Sequence, residues 1–392
     1  MFAVSALPLV LSLLPGPPPE LSAGRVAAVA GPYLAGRPFA AVTVGVSTPA
    51  GRAVYGFGAV DPVVNPAGAE SGGPPAAPDG RTVYEIGSIT KAFVGLTLAR
   101  MVADGTVNEN DPAAAHLPAD LAPPAWAGPD GAARPVTLRA LATHTSGLPV
   151  QPPTIGLFAL FTGEPADPYA AFTRKYLAQT VGNLAPAEPG RFAYSNLGVG
   201  LLGHALANAE TGDPLAVGAV IRRRLTGPLG LADTAFTLTD GQRRRFPRPH
   251  EGDGTPTPPW TFATLGACGG LRSTADDLLT LADACLGRGP VDLSPAFASA
   301  TSPRESARRG RVGLCWFTDD LPTGRMVWHN GGTGGSRSFL GVLPDRGAAV
   351  VVLANCGAPV DRLAVDLLSG AGPKSGAEPK RGAEQKGAGD DD

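Results

Sequence analysis

A chain of 392 residues is longer than one ordinary domain, so one large domain carrying an insertion, or two subdomains, is expected. With 43% hydrophobic and 17% charged residues it belongs among globular proteins and is neither a coiled coil nor wholly disordered. Its 32 basic and 34 acidic side chains leave a net charge of −2, which supplies no general attraction to a phosphate backbone and argues against a nucleic-acid partner.

Phe2 to Leu14 is an apolar run interrupted by Pro8, shorter than the roughly 20 residues a helix needs to cross a bilayer, so no stable membrane span is expected. With the small residues of Gly16 to Ala23 behind it, the run has the layout of a signal peptide over residues 1–23, although no basic residue precedes it, Arg25 being the first. Export to an extracellular or periplasmic compartment is the expectation, and a cytoplasmic location the alternative. Phe39–Val46 and Arg52–Gly58 are β-prone and joined by the turn formers Ser47–Gly51, which predicts a hairpin.

From residue 81 to 304 the pattern turns mostly helical, with segments at Ser88–Asp104, Thr137–Thr143, Pro168–Gln179, Leu197–Ala209, Pro214–Leu225 and Ser273–Leu286. Arg272 and Ser273 read as the cap of the last of these. Val312–Thr318, Met326–His329, Ser336–Leu343 and Ala348–Ala354 then predict an antiparallel meander, closed by a helix at Val360–Ser369. Residues 371–392 hold no Val, Ile, Leu, Met or aromatic side chain and read as a disordered tail. The expected fold is α+β: an antiparallel β-sheet from about residues 24–80 and 305–370, flanked by N- and C-terminal helices, with a mostly helical subdomain inserted over about 81–304. Pockets form preferentially at such junctions.

Four cysteines, Cys268, Cys285, Cys315 and Cys356, match no zinc or redox spacing. Two disulfides in three connectivities are open to them, and the apolar runs around Cys315 and Cys356 favour free buried thiols. The five histidines are scattered without H-E-x-x-H, so neither a metal nor another cofactor is expected. Gly198–Gly203 matches G-x-G-x-x-G, but no βαβ unit surrounds it.

The chemistry concentrates elsewhere. Ser88 and Lys91 stand at i and i+3 at the head of an apolar helix, where a lysine that is neutral part of the time can activate a hydroxyl. By itself S-x-x-K is weak, since an N-cap serine with a snorkelling lysine reads the same way. Tyr194-Ser195-Asn196 adds Y-x-N, and His329-Asn330-Gly331-Gly332 adds a glycine-rich strand edge headed by histidine. With GSITKAFVGLTLARMVADG, TLRALATHTSGLP, PGRFAYSNLGVGLLG, CGGLRSTADDLLTLA and HNGGTGGSRSFLGVLPD in this order, residues 35 to 368 resemble the serine β-lactamase-related family of class C β-lactamases, D-Ala-D-Ala carboxypeptidases and related esterases.

The resemblance implies an acyl-enzyme formed on Ser88 with Lys91 as general base and Tyr194 as proton carrier, and a small-molecule or short peptide substrate. It further implies that Asn196, His329, Asn330 and Gly331 contact the substrate and that the backbone N–H groups of Ser88 and Gly332 form the oxyanion hole. An acyl-transfer site needs such a hydroxyl, base, second proton carrier and pair of N–H donors. Two departures stand out: His329 replaces the usual lysine of the third motif, and Asn330 replaces a threonine, so efficient β-lactam hydrolysis is not expected. His329 is expected to offer a positive or hydrogen-bonding group that titrates near its ordinary pKa of about 6.5. His144 reads as a structural turn residue. A catalytically weak sensor or binding protein of the same fold is the alternative reading.

Overall fold

The strand Ala348–Ala354 is apolar at every position, a pattern that is stable only where both faces of a sheet are covered. The computed structural model describes residues 21–60, 76–128, 130–153, 155, 167–185, 189–307 and 310–370. The apolar run of residues 2–14, most of the 151–167 loop and the tail lie outside them. In chain order the strands are β1 (Val42–Thr48), β2 (Gly51–Phe57), β3 (Tyr84–Glu85), β4 (Trp126–Ala127), β5 (Ala133–Arg134), β6 (Arg272–Ser273), β7 (Glu305–Ser306), β8 (Arg311–Val312), β9 (Phe317–Leu321), β10 (Gly324–Gly332), β11 (Arg337–Leu343) and β12 (Ala348–Ala354). Eight of them form one antiparallel sheet in the order β2-β1-β12-β11-β10-β9-β8-β7. The helices are α1 (Ala23–Leu34), α2 (Thr90–Ala103), α3 (Leu138–Ala142), α4 (Arg174–Gly182), α5 (Asn196–Thr211), α6 (Val217–Ile221), α7 (Asp240–Arg243), α8 (Gly266–Gly269), α9 (Ala275–Cys285), α10 (Ser294–Thr301) and α11 (Asp361–Leu368).

Alternation along β12 sorts its side chains between two cores. Val350, Val352 and Ala354 cluster with Val26 and Val29 of α1 and Leu363 and Leu367 of α11, whereas Ala349, Val351 and Leu353 join the larger core with Leu278 and Leu279 of α9. The terminal helices therefore cover one face and the inserted helices the other, as the α+β expectation requires. Gly45 lets α9 lie directly on β1, since a Cβ there would meet Leu279 Cδ1 at 3.0 Å. At the centre of the larger core, α2 buries Phe93, Val94, Leu96, Leu98 and Met101.

Several element boundaries differ from the sequence expectation. Val312–Thr318 is not one strand: Cys315 sits at φ 59°, and the amides of Leu314 and Cys315 donate to Ala300 O and Ala142 O, outside the sheet. The expected helix at Pro168 begins at Arg174, where the Thr173 side chain caps Tyr176 N. Pro214–Leu225 resolves into α6 and a π-helical turn at Arg222–Thr226. Thr274 caps α9, while Arg272 and Ser273 form β6 against β3. The Gly198–Gly203 run lies inside α5, where Gly200 and Gly203 admit Leu265 and Ala267. All four cysteines are free and buried. Among the described residues no helix is long and apolar enough to cross a membrane.

Candidate active site

Strand β10 pairs with β11 as far as Gly332, but with β9 only as far as Trp328. The edge from His329 to Gly332 is thereby left without a neighbouring strand, and the 3-10 turn Gly87–Ile89 at the head of α2 packs there. Two glycines make the approach feasible. Gly87 takes φ +48°, and a Cβ on it would lie 2.6 Å from Gly332 N; a Cβ on Gly331 would lie 2.0 Å from Ile86 O and 2.9 Å from Ser88 N. Ser338 on β11 donates to Ile86 O at 2.8 Å and holds the turn against the sheet.

Ser88 is half-buried on this turn, and it is not a cap: the residue at the N-cap position of α2 is Ile89, which makes no side-chain capping bond. Lys91, one turn further, is fully buried. Its Nζ donates to Ser88 Oγ at 2.9 Å, Asn196 Oδ1 at 2.7 Å and Cys268 O at 2.5 Å, so all three ammonium protons have acceptors and none of these acceptors is a carboxylate. The same Nζ lies 4.9 Å from the ring centroid of Tyr194. Ser88, Lys91, Tyr194 and Asn196 are thus gathered at one place, with His329, Gly331 and Gly332 on the strand edge beside them.

The Y-x-N segment is held by the loop that contains His144. Ala193 N donates to His144 O at 2.7 Å, Ser195 N donates to His144 Nδ1 at 3.2 Å, and the His144 ring lies 4.5 Å from that of Tyr194. Burial, then the nearby charge of Lys91, hold this histidine neutral, and its φ of 60° places it at a turn.

Two expectations for the third motif are corrected. His329 is fully buried, and burial followed by the charge of Lys91 lowers its pKa to about 3. Its Nδ1 donates to Asn330 O at 2.6 Å. The ring is neutral throughout the ordinary pH range, so it offers no positive charge and no titration near 6.5. Asn330, the next residue, points to the opposite face of the sheet, where its Nδ2 donates to Asp361 Oδ1 on α11 at 2.6 Å. Strand alternation separates it from the Lys91 side.

Sequence reasoning missed three contributors. Glu85, buried on β3, accepts from Trp260 N and Thr333 Oγ1 at 2.7 Å each and has Arg272 Nη2 at 3.6 Å, so it joins the segment before Ser88 to the residue after Gly332. Burial raises its pKa, and Arg272 and these hydrogen bonds oppose the rise. Cys268 supplies a main-chain oxygen, which no side-chain pattern announces. Tyr169, fully buried, accepts from Asn196 Nδ2 at 3.2 Å. It adjoins a loop whose composition carries no readable code.

A sheet covered on both faces, with a buried lysine and a serine hydroxyl at the open edge of an inner strand, defines the β-lactamase and transpeptidase-like class of fold. The family model described as Beta-lactamase matches residues 30–370, and the chain belongs to that family. It is 28% identical over 288 residues to the D-alanyl-D-alanine-carboxypeptidase/endopeptidase AmpH of Escherichia coli K12, covering 69% of this chain and 71% of the relative. To penicillin-binding protein 4 of Amycolatopsis lactamdurans it is 27% identical over 295 residues, with 70% and 73% covered. Among solved structures, a class C β-lactamase from Rhodobacter sphaeroides shares the fold at a TM-score of 0.69 and 22% identity, over 88% of this chain and 98% of that one.

Proposed function

We propose that the protein is a serine hydrolase that forms an acyl-enzyme on Ser88 and acts on D-amino-acid peptides or amides, or on esters, with β-lactams as slow substrates. One observation carries this reading: a fully buried lysine amine 2.9 Å from the serine hydroxyl, its other two bonds directed to neutral oxygens. When Lys91 is neutral, its two N–H groups remain on Asn196 Oδ1 and Cys268 O, and its lone pair faces the Ser88 hydroxyl. Ser88 Oγ then attacks the substrate carbonyl carbon while its proton passes to Lys91 Nζ. The developing oxyanion is received by the N–H groups of Ser88 and Gly332, each such donor contributing about 3 kcal/mol to the transition state. Tyr194, against Lys91, carries the proton to the leaving group, and water then releases the acyl group.

The peptide preference is supported by the likeness to a D-alanyl-D-alanine carboxypeptidase/endopeptidase. Slow β-lactam turnover is supported by Asn330, whose amide is committed to Asp361 on the far face of the strand. Incubation with a fluorescent penicillin or a fluorophosphonate, followed by mass mapping, tests the reading: one adduct on Ser88 is expected, and labelling that survives Ser88→Ala removes it. Turnover of a p-nitrophenyl ester beyond one per site is expected, whereas a single stoichiometric burst would favour a sensor.

A further inference from the structure

Cys268, Lys91, Asn196 and Tyr169 form a run of polar contacts: Lys91 Nζ donates to Cys268 O and to Asn196 Oδ1, and Asn196 Nδ2 donates to the Tyr169 hydroxyl at 3.2 Å. Tyr169 is 1% exposed, with its ring stacked on Phe262 at 4.7 Å and tilted against Trp260 at 5.6 Å, so its hydroxyl is delivered by a fixed aromatic frame. Burial above all keeps the phenol protonated, and pushes the Cys268 thiol up to about 11.

A side-chain amide has one end that only accepts and one that only donates. Reversed, Asn196 would turn its NH2 toward Lys91, remove an acceptor from a buried ammonium, and compete with Ser88 for the lone pair of the neutral amine. The ammonium, which only donates, draws Oδ1 toward itself, and the Tyr169 hydroxyl completes the arrangement by accepting from Nδ2 at the other end. We infer that Tyr169 is a positioning residue for acylation: by accepting from Asn196 Nδ2 it anchors the far end of the amide whose Oδ1 meets Lys91, and so helps keep the amine's free valence on the Ser88 hydroxyl. The inference rests on the acyl-transfer reading above and adds a residue to it that touches neither the nucleophile nor the base.

Tyr169→Phe tests it, since the ring and its stacking remain and only the oxygen is lost. In stopped-flow acylation with a chromogenic ester or cephalosporin, the maximal acylation rate is expected to fall about tenfold, the scale of one lost hydrogen bond, with the half-saturating concentration unchanged. A maximal rate equal to that of the unsubstituted protein, or a loss confined to the half-saturating concentration, overturns the inference. A second measurement needs no variant of Tyr169: in nitrogen-15 spectra the Asn196 side-chain amide, identified with Asn196→Ala, is expected to show slow exchange with solvent, and fast exchange of both its protons overturns the anchoring. Failure of the unsubstituted protein to label at Ser88 strikes the functional reading instead, so the two failures are distinguishable.

Discussion

Two buried charges in this molecule are treated in opposite ways. Asp283 on α9 lies beneath the β1–β2 hairpin and accepts from Ser47 Oγ at 2.6 Å, from Arg288 Nη2 at 2.6 Å and from Arg52 Nε. Burial alone would raise its pKa, but the hydrogen bonds from Ser47, Arg288 and Arg52 outweigh that and hold it below the usual carboxylate value. Lys91 is buried more completely and has no carboxylate partner among the described residues, only a hydroxyl, an amide oxygen and a main-chain oxygen. A charge paired with opposite charges serves structure, whereas Lys91 is held only by neutral dipoles, the setting in which the proposed mechanism asks it to act as general base.

The largest test of this contrast is Lys91→Ala, for which Ser88 acylation is expected to fall by about a thousandfold or more, measured as the labelling rate. A rate within tenfold of the unsubstituted protein would break the contrast. Asp283→Ala is expected to do the reverse: it takes their carboxylate partner from the partly exposed Arg52 and Arg288 and lowers unfolding stability by about 1–2 kcal/mol in denaturant titration, with the labelling rate per folded molecule preserved. The smallest effect concerns His329. Its ring C–H resonances are expected not to titrate between pH 8 and 5 in the folded protein. Because the native ring stays neutral down to about 3 while the unfolded chain protonates near 6.5, stability is expected to decline as pH falls through that window, and His329→Gln to flatten the decline.

The residues gathered at Ser88, Lys91, Tyr194 and Asn196 were legible as candidates because each motif joins two polar side chains at a short fixed spacing, and the hairpin and the meander were legible from period-two runs bounded by turn residues. The break at Cys315 was not, because it arises from carbonyls of α3 and α10 that compete for the amides of an otherwise strand-like run. Asn330 and His329 were misjudged for a related reason: a motif names adjacent residues, but strand alternation sends them to opposite faces, and burial decides whether an imidazole carries charge.

By itself, then, the order of residues determined which groups are available for chemistry, which segments alternate as strands or wind as helices, and how apolar the interior is, since these follow from local stereochemistry and hydrophobic spacing. Only the tertiary structure decided that Lys91 lacks an acidic partner, that a cysteine carbonyl and a distant tyrosine complete its surroundings, and that His329 is neutral. Such properties depend on desolvation and on contacts between residues far apart in the chain, 177 positions for Lys91 and Cys268, and no local pattern carries that information.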